Sequence, residues 1–147
     1  MCDRVIEKSK ATTKKERCED MNYKIVHMCI RVKDLDASLA FYQEAMGMKI
    51  TRRKDFPDEK FDLVYLSDQA GAFEVELTYN YDQETPYEIG NGYSHLAVTV
   101  DDLEASREKH EAMGYKVTKL MGLPGSPPRY YFVTDPDGYD VEVIRAK

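Results

Sequence analysis

The sequence predicts an α+β fold built from two βαβββ modules in tandem. Three observations predict it: an internal repeat, alternation of apolar and polar residues ahead of each repeat's helix, and an Asp-to-Gly frame around that helix. His27–Ser38 (HMCIRVKDLDAS) aligns with His95–Ser106 (HLAVTVDDLEAS) at an offset of 68, with six identities in twelve positions. Ala45–Thr51 faces Ala112–Thr118 with five identities in seven, and Val75-Glu76-Leu77 faces Val141-Glu142-Val143. Three matches in the same order make the chain two copies of one unit, over about 24–82 and 92–147.

Each copy opens on a strand. Val26, Met28, Ile30 and Val32 share one face, with His27, Cys29 and Arg31 on the other; in the second copy His95 opposes Leu96, Val98 and Val100. Asp34 and Asp102 stand where a helix N-cap is wanted, ahead of helical runs at 35–46 and 102–113. Gly47 and Gly114 close those helices in the position that favours a left-handed glycine. Strands follow at 48–53, 61–67 and 72–80, and at 115–120, 129–134 and 139–145. The order β-α-β-β-β, run twice, calls for a mostly antiparallel curved sheet with one helix per module.

Length, charge and cysteine content narrow the class. The 147 residues suit one domain of two small halves. Residues 1–20 carry six basic and five acidic side chains without an apolar core, which reads as a polar, flexible N-terminal extension rather than a secretory signal, with the domain over 21–147. A net charge of −6, from 21 basic and 27 acidic residues, argues against a nucleic-acid or anionic-membrane surface. No apolar run approaches the ~20 residues of a membrane span. Three cysteines, Cys2, Cys18 and Cys29, form no CxxC pair and fit a reducing, cytoplasmic setting.

The alternation also places the chemistry. In the strand at 72–80, Phe73, Val75, Leu77 and Tyr79 face the helix, while Glu74, Glu76, Thr78 and Asn80 face away; in the last strand Glu142 opposes Val141 and Val143. Each module therefore offers one His from its first strand and one Glu from its last, on the face away from its helix. Two of the chain's three histidines occupy equivalent repeat positions, each matched by a Glu. Modules facing each other would bring two imidazoles and two carboxylates together, a donor set suited to zinc, nickel, cobalt or iron in six-coordinate geometry. Without thiolates it is not a closed structural zinc site.

Other residues read more plainly. His110, flanked by Arg107, Glu108, Lys109 and Glu111, is expected on a solvated helix face. Cys29 is expected to be a small packing residue, and Asp135-Pro-Asp-Gly-Tyr139 a tight turn. Gly122-Leu-Pro-Gly-Ser-Pro-Pro128 is expected to be a loop over the site. Tyr79, Tyr81, Tyr87 and Tyr93 are expected mainly in core or interface packing.

His27-Met-Cys-Ile-Arg31, Leu39-Ala-Phe-Tyr42, Gly47-Met48, Val75-Glu-Leu-Thr-Tyr-Asn80, Gly92-Tyr-Ser-His95 and Asp135-Pro-Asp-Gly-Tyr-Asp-Val-Glu142 together resemble glyoxalase I (lactoylglutathione lyase), in the vicinal oxygen chelate superfamily. The resemblance spans about residues 22–147. It implies His27, Glu76, His95 and Glu142 as metal ligands, with Glu142 as general base and Glu76 as its counterpart. The implied reaction isomerises the hemithioacetal of methylglyoxal and glutathione to S-lactoylglutathione through an enediolate. The resemblance is closer to nickel- or cobalt-preferring bacterial members than to zinc-dependent ones, and implies a homodimer.

It also implies Arg31 and Asn80 as thiol contacts. The sequence departs from the family pattern in two places: Asn91 replaces an Arg four residues before the second His, and Gly122–Arg129 replaces a Lys-Gly-Gly-type loop, leaving Arg129 as the candidate substitute. Alternatives are a methylmalonyl-CoA epimerase-like enzyme, which usually carries Gln where Glu76 stands, and an extradiol dioxygenase-like iron enzyme, which leaves Glu76 unexplained. A drug-sequestering protein of the same fold has no need of all four ligands.

Overall fold

The computed structural model describes residues 22–147. Cys2, Cys18 and the N-terminal extension expected over 1–20 lie outside the described residues. The first module runs β1 (His27–Val32), α1 (Leu35–Ala40), a π-type turn (Phe41–Ala45), β2 (Lys49–Phe56), β3 (Phe61–Ser67) and β4 (Glu74–Asn80). The second runs β5 (His95–Val100), α2 (Leu103–Ala112), β6 (Tyr130–Thr134) and β7 (Asp140–Arg145). No helix among the described residues is long and apolar enough to cross a membrane.

Both helices start as the sequence predicts. The Asp34 carboxylate accepts the Ala37 N–H at 3.0 Å, and the Asp102 carboxylate accepts that of Ala105 at 2.9 Å. The run after Asp34 is not one continuous α-helix. It widens into a π-type turn, with Met46 N–H donating to the Phe41 carbonyl at 3.1 Å, before Gly47 leaves at φ +69°. Gly114 leaves α2 at φ +86°.

The first sheet has the order β1-β4-β3-β2, and the second β5-β7-β6. Each module's first and last strands are parallel (β1 with β4, β5 with β7), and the remaining pairs are antiparallel. The strand expected at 115–120 is reduced to isolated bridges, Val117 to Val133 and Met121 to Tyr130. Thr118 accounts for the interruption. Its hydroxyl accepts the Phe132 N–H at 2.9 Å, and its carbonyl is diverted to Arg107 Nε at 2.7 Å, so regular pairing lapses there.

One apolar core runs through both modules, including Val32, Phe41, Leu66, Leu77, Leu103, Val133 and Val141. The modules meet along their helices and the 135–139 turn. Lys109 Nζ donates to the Glu44 carbonyl at 2.8 Å, and Phe41 meets Tyr115 edge to face. Asp137 accepts the Lys33 N–H at 2.9 Å and the Ser38 hydroxyl at 3.2 Å; Tyr139 donates its hydroxyl to the Arg31 carbonyl at 2.9 Å. The expected turn is thus also a bracket between modules.

His110 corrects the expectation of a solvated face. It is 2% exposed, with Nε2 2.9 Å from the Ala45 carbonyl and Nδ1 2.8 Å from the Tyr131 hydroxyl. A carbonyl only accepts, so Nε2 carries the proton and Nδ1 accepts from Tyr131. Burial depresses its pKa, in keeping with this neutral form. The charged neighbours along the sequence point elsewhere around the helix, while His110 shares its inner face with Leu103, seven residues earlier.

Candidate functional site

Parallel pairing of first and last strands is what sets each His beside its Glu. The β1–β4 register places Glu76 opposite Cys29, and the β5–β7 register places Glu142 opposite Ala97; each Glu is thus two positions past its His on the neighbouring strand. On the face away from the helices, His27 Nε2 lies 3.1 Å from Glu76 Oε2. His95 Nε2 lies 3.1 Å from Glu142 Oε2. Repeat symmetry is therefore kept in the geometry as well as in the sequence.

Two such pairs fit a metal ion. Neighbouring donors each about 2.1 Å from one ion, at right angles, stand about 3 Å apart, which is the separation found in both modules. His95 is also oriented from behind, its Nδ1 2.7 Å from the Ser94 hydroxyl, as ligating imidazoles usually are. The four candidate ligands do not converge within one chain, however. Among the described residues no three His, Cys, Asp or Glu side chains form a cluster able to hold a metal. Each chain carries two half-sets.

A cavity of about 760 Å³ lies away from both pairs, lined by Lys33, Asp34, Arg53, Asp62, Tyr79 and Asp137 among others. One smaller space is at a pair, and another lies along β1. One of about 500 Å³ includes His95, Leu123, Pro127, Arg129, Phe132 and Glu142 in its lining. The loop expected over the site therefore stands beside the second pair, and Arg129 with it. Another, of about 420 Å³, takes in Cys29, Arg31, Tyr87, Tyr93 and Tyr139 along β1, with neither His27 nor Glu76 in its lining. Arg31 follows His27 on the same face of β1. Asn80, the last residue of β4, donates its amide to the Tyr87 hydroxyl at 2.9 Å.

Of the four tyrosines expected in packing, Tyr87 and Tyr93 line the cavity beside β1 and Tyr79 lines the 760 Å³ cavity, while Tyr79 and Tyr81 also pack ring to ring at 5.5 Å. Cys29 is not the packing residue expected: it is exposed on the site face, its Sγ 3.2 Å from Thr78 Oγ1. Burial, above all, pushes its thiol pKa up, and the nearby Glu76 charge adds to that. Sequence reasoning missed Tyr65. It lies opposite Glu76 across β3–β4 and its ring meets His27 edge-on at 5.7 Å; burial above all, with the Glu76 carboxylate adding to it, pushes its phenol pKa up. The period-2 pattern of β3, which puts Val64 and Leu66 inward, was the available signal.

Tandem modules, one βαβββ and one with its second strand reduced to bridges, that each present a His–Glu pair on the open face define a protein of the vicinal oxygen chelate type. The sequence profile of the Glyoxalase/Bleomycin resistance protein/Dioxygenase superfamily matches residues 24–143. The chain belongs to that superfamily and, within it, to the lactoylglutathione lyase (glyoxalase I) family. It is 42% identical over 126 residues to the lactoylglutathione lyase of Haemophilus influenzae, covering 84% of this chain and 93% of that one. It is 39% identical over 127 residues to the lactoylglutathione lyase of Neisseria meningitidis, covering 84% and 91%. Among solved structures, the trypanothione-dependent glyoxalase I of Leishmania major superposes with a TM-score of 0.73 at 34% identity, over 84% of this chain and 87% of that one. Glyoxalase I of Zea mays gives 0.76 at 38%, over 84% of this chain and 44% of the longer maize chain.

Proposed function

We propose that this protein is a metal-dependent glyoxalase I, isomerising the hemithioacetal of methylglyoxal and glutathione to S-lactoylglutathione. The observation that carries the reading is the pair of repeat-equivalent His–Glu contacts, both 3.1 Å, in a chain 42% identical to a lactoylglutathione lyase. His27, Glu76, His95 and Glu142 are the metal ligands. A divalent ion held there, Ni²⁺ or Co²⁺ in preference to Zn²⁺, supplies Lewis-acid stabilisation of the charge that develops on the substrate's adjacent oxygens.

Glu142 is the general base. It takes the proton from the hemithioacetal carbon, the electrons move into an enediolate, and the same proton returns to the neighbouring carbon; the hydroxyl proton on the first carbon's oxygen passes to the second carbon's oxygen, giving the thioester without net gain or loss. The loop at 122–128 keeps water from the intermediate. Arg31 and Arg129 are the guanidinium partners for the thiol's carboxylates, with Asn80 as a further polar contact.

We infer a homodimer, because each chain holds two half-sets that do not meet. His27 and Glu76 of one chain face His95 and Glu142 of the partner subunit, and the reverse at a second site. The domain is 21–147, its two modules sharing one core, and its setting is the cytoplasm, in line with unpaired cysteines. The partners are the small hemithioacetal and a second copy of the chain, not nucleic acid or membrane.

The test is to strip metal from purified protein, add back Ni²⁺, Co²⁺ or Zn²⁺, and follow thioester formation from methylglyoxal and glutathione. Turnover with Ni²⁺ or Co²⁺ is expected. A well-folded protein inactive with all three refutes the reading.

A further inference from the structure

The duplication makes the two metal-facing carboxylates geometric equivalents, yet their surroundings differ at three equivalent positions. Around Glu76 stand Tyr65 opposite it on β3, Thr78 two residues on, and Cys29 opposite it on β1. The positions that correspond around Glu142 hold Phe132, Ile144 and Ala97. The correspondence is close in space as well. Tyr65 meets His27 edge-on at 5.7 Å, and Phe132 meets His95 in the same manner at 5.1 Å. A phenol, an alcohol and a thiol in one module are thus replaced by a phenyl, a sec-butyl and a methyl group in the other.

The polar set is wired to Glu76. The Thr78 hydroxyl donates to Glu76 Oε1 at 3.1 Å, while Oε2 faces His27. With its proton given to Glu76, Thr78 Oγ1 accepts from the Cys29 thiol at 3.2 Å. Tyr65 stands directly opposite Glu76 on β3, with its ring edge-on to His27. Tyr65 is itself held, its ring lying under the Arg52 guanidinium at 3.6 Å, and Arg52 is tied to Glu74 at 2.8 Å. Glu142 has His95 as its polar partner, and the three positions equivalent to those around Glu76 offer it only hydrocarbon.

We propose that Tyr65 and Thr78, with Cys29 behind Thr78, are positioning residues that hold Glu76 as the permanent carboxylate ligand, so that Glu142 is the carboxylate free to leave and move the proton. Hydrogen bonds to a ligating carboxylate fix its orientation, and a carboxylate without them can rotate away at less cost. The division of roles rests on the glyoxalase reading; the clamp on Glu76 does not. Two carboxylates made alike by duplication are told apart by the side chains one strand away.

Three variants test this in the dimer-forming full chain: Tyr65→Phe/Thr78→Val, Tyr65→Phe/Thr78→Ser, and the reciprocal Phe132→Tyr/Ile144→Thr. Co²⁺ affinity is read by chelator competition, and kcat and KM with the methylglyoxal–glutathione hemithioacetal. Loss of both hydroxyls weakens Co²⁺ binding by roughly 10- to 100-fold, and Thr78→Ser recovers most of that loss by restoring a hydroxyl. The reciprocal pair pins Glu142, lowering kcat by about tenfold at unchanged KM while Co²⁺ binds at least as tightly. Tyr65→Phe alone, which keeps the ring beneath Arg52, serves where the double variant does not fold. Unchanged Co²⁺ affinity in folded Tyr65→Phe and Tyr65→Phe/Thr78→Val, or an unchanged kcat in the reciprocal pair, overturns the proposal. The Co²⁺ arm needs no substrate. A wild type without isomerase activity but with clamp-dependent affinity would remove the glyoxalase reading alone, and an active wild type with clamp-independent affinity would remove the clamp alone.

Discussion

Replacing Tyr42 by Phe removes one hydroxyl from the bracket between modules, and its cost depends on pH. Tyr42 is 1% exposed and donates to Asp135 Oδ2 at 2.8 Å; Asp135 is 5% exposed. The carboxylate's other oxygen accepts the N–H groups of Asp137 and Tyr139, both at 2.9 Å. Without the phenol, Oδ2 stays buried and loses that donor, so the loss is that of a charge-assisted hydrogen bond, about 1.5–3 kcal/mol. For a domain of this size that corresponds to a fall in Tm of roughly 3–12 °C. Burial pushes the Asp135 pKa up to about 6 even with Tyr42 present, and the Tyr42 bond opposes that rise. A carboxyl whose folded pKa is raised contributes stability that is full below its unfolded pKa and is lost as pH rises through the folded value. Removing Tyr42 raises the folded pKa further, so the penalty is complete at pH 8 and shrinks as Asp135 takes up its proton toward pH 5. Urea unfolding of both proteins at pH 5, 6.5 and 8 measures it. A penalty below about 0.5 kcal/mol at pH 8, or one that does not change with pH, refutes the reasoning.

Four further outcomes are expected. Glu142→Gln loses turnover by two or more orders of magnitude, roughly, while still binding Co²⁺; wild-type turnover would reject its assignment as base. His27→Ala and His95→Ala, each inactive alone, recover about a quarter of wild-type activity after mixing and subunit exchange, since half the dimers then hold one intact site; no recovery means the sites are not shared between chains. Gly122→Ala sets a Cβ 2.5 Å from the Pro127 carbonyl oxygen, so the loop beside His95 and Glu142 must shift, and kcat/KM falls with Co²⁺ affinity unchanged. Arg129→Ala and Arg31→Ala raise KM for the glutathione hemithioacetal about tenfold or more with smaller changes in kcat, as expected for lost carboxylate contacts; an unaltered KM in both assigns the thiol to other residues.

Much of this architecture was legible because duplication writes each structural instruction twice. The N-caps Asp34 and Asp102 and the helix-ending Gly47 and Gly114 sit at matched places, and the period-2 alternation put His27 and Glu76 on one face before any register was known. What escaped depends on partners distant in sequence. Thr118 breaks its strand because Arg107, eleven residues away, takes its carbonyl. His110 looked solvated among charged neighbours, but its ring answers to Ala45 and Tyr131. Its inward position could have been read from the repeat, since it is the counterpart of Tyr42, itself buried. The half-sets' failure to converge was not legible at all, because the sequence specifies each module's faces but not the direction in which two modules pack. Here the helices and the 135–139 turn meet in the middle.

That packing has a consequence for how the two sites of a dimer relate. Tyr139 ends the bracket turn, directly precedes the strand that carries Glu142, and donates to the carbonyl of Arg31 on the strand that carries His27. In the proposed dimer these strands would belong to different metal sites, so Tyr139 would tie the proposed base of one site to the proposed thiol contact of the other. Tyr139→Phe tests whether that tie carries energy. It leaves the ring against Tyr93, 5.6 Å between centroids, and removes only the hydroxyl at 2.9 Å. A neutral hydrogen bond of this kind contributes about 0.5–1.5 kcal/mol, so relaxation of Arg31 should raise KM by about two- to tenfold while kcat, set at Glu142, holds. A change in kcat with KM constant would place the effect at β7 instead, and no change in either would show the two sites to be independent.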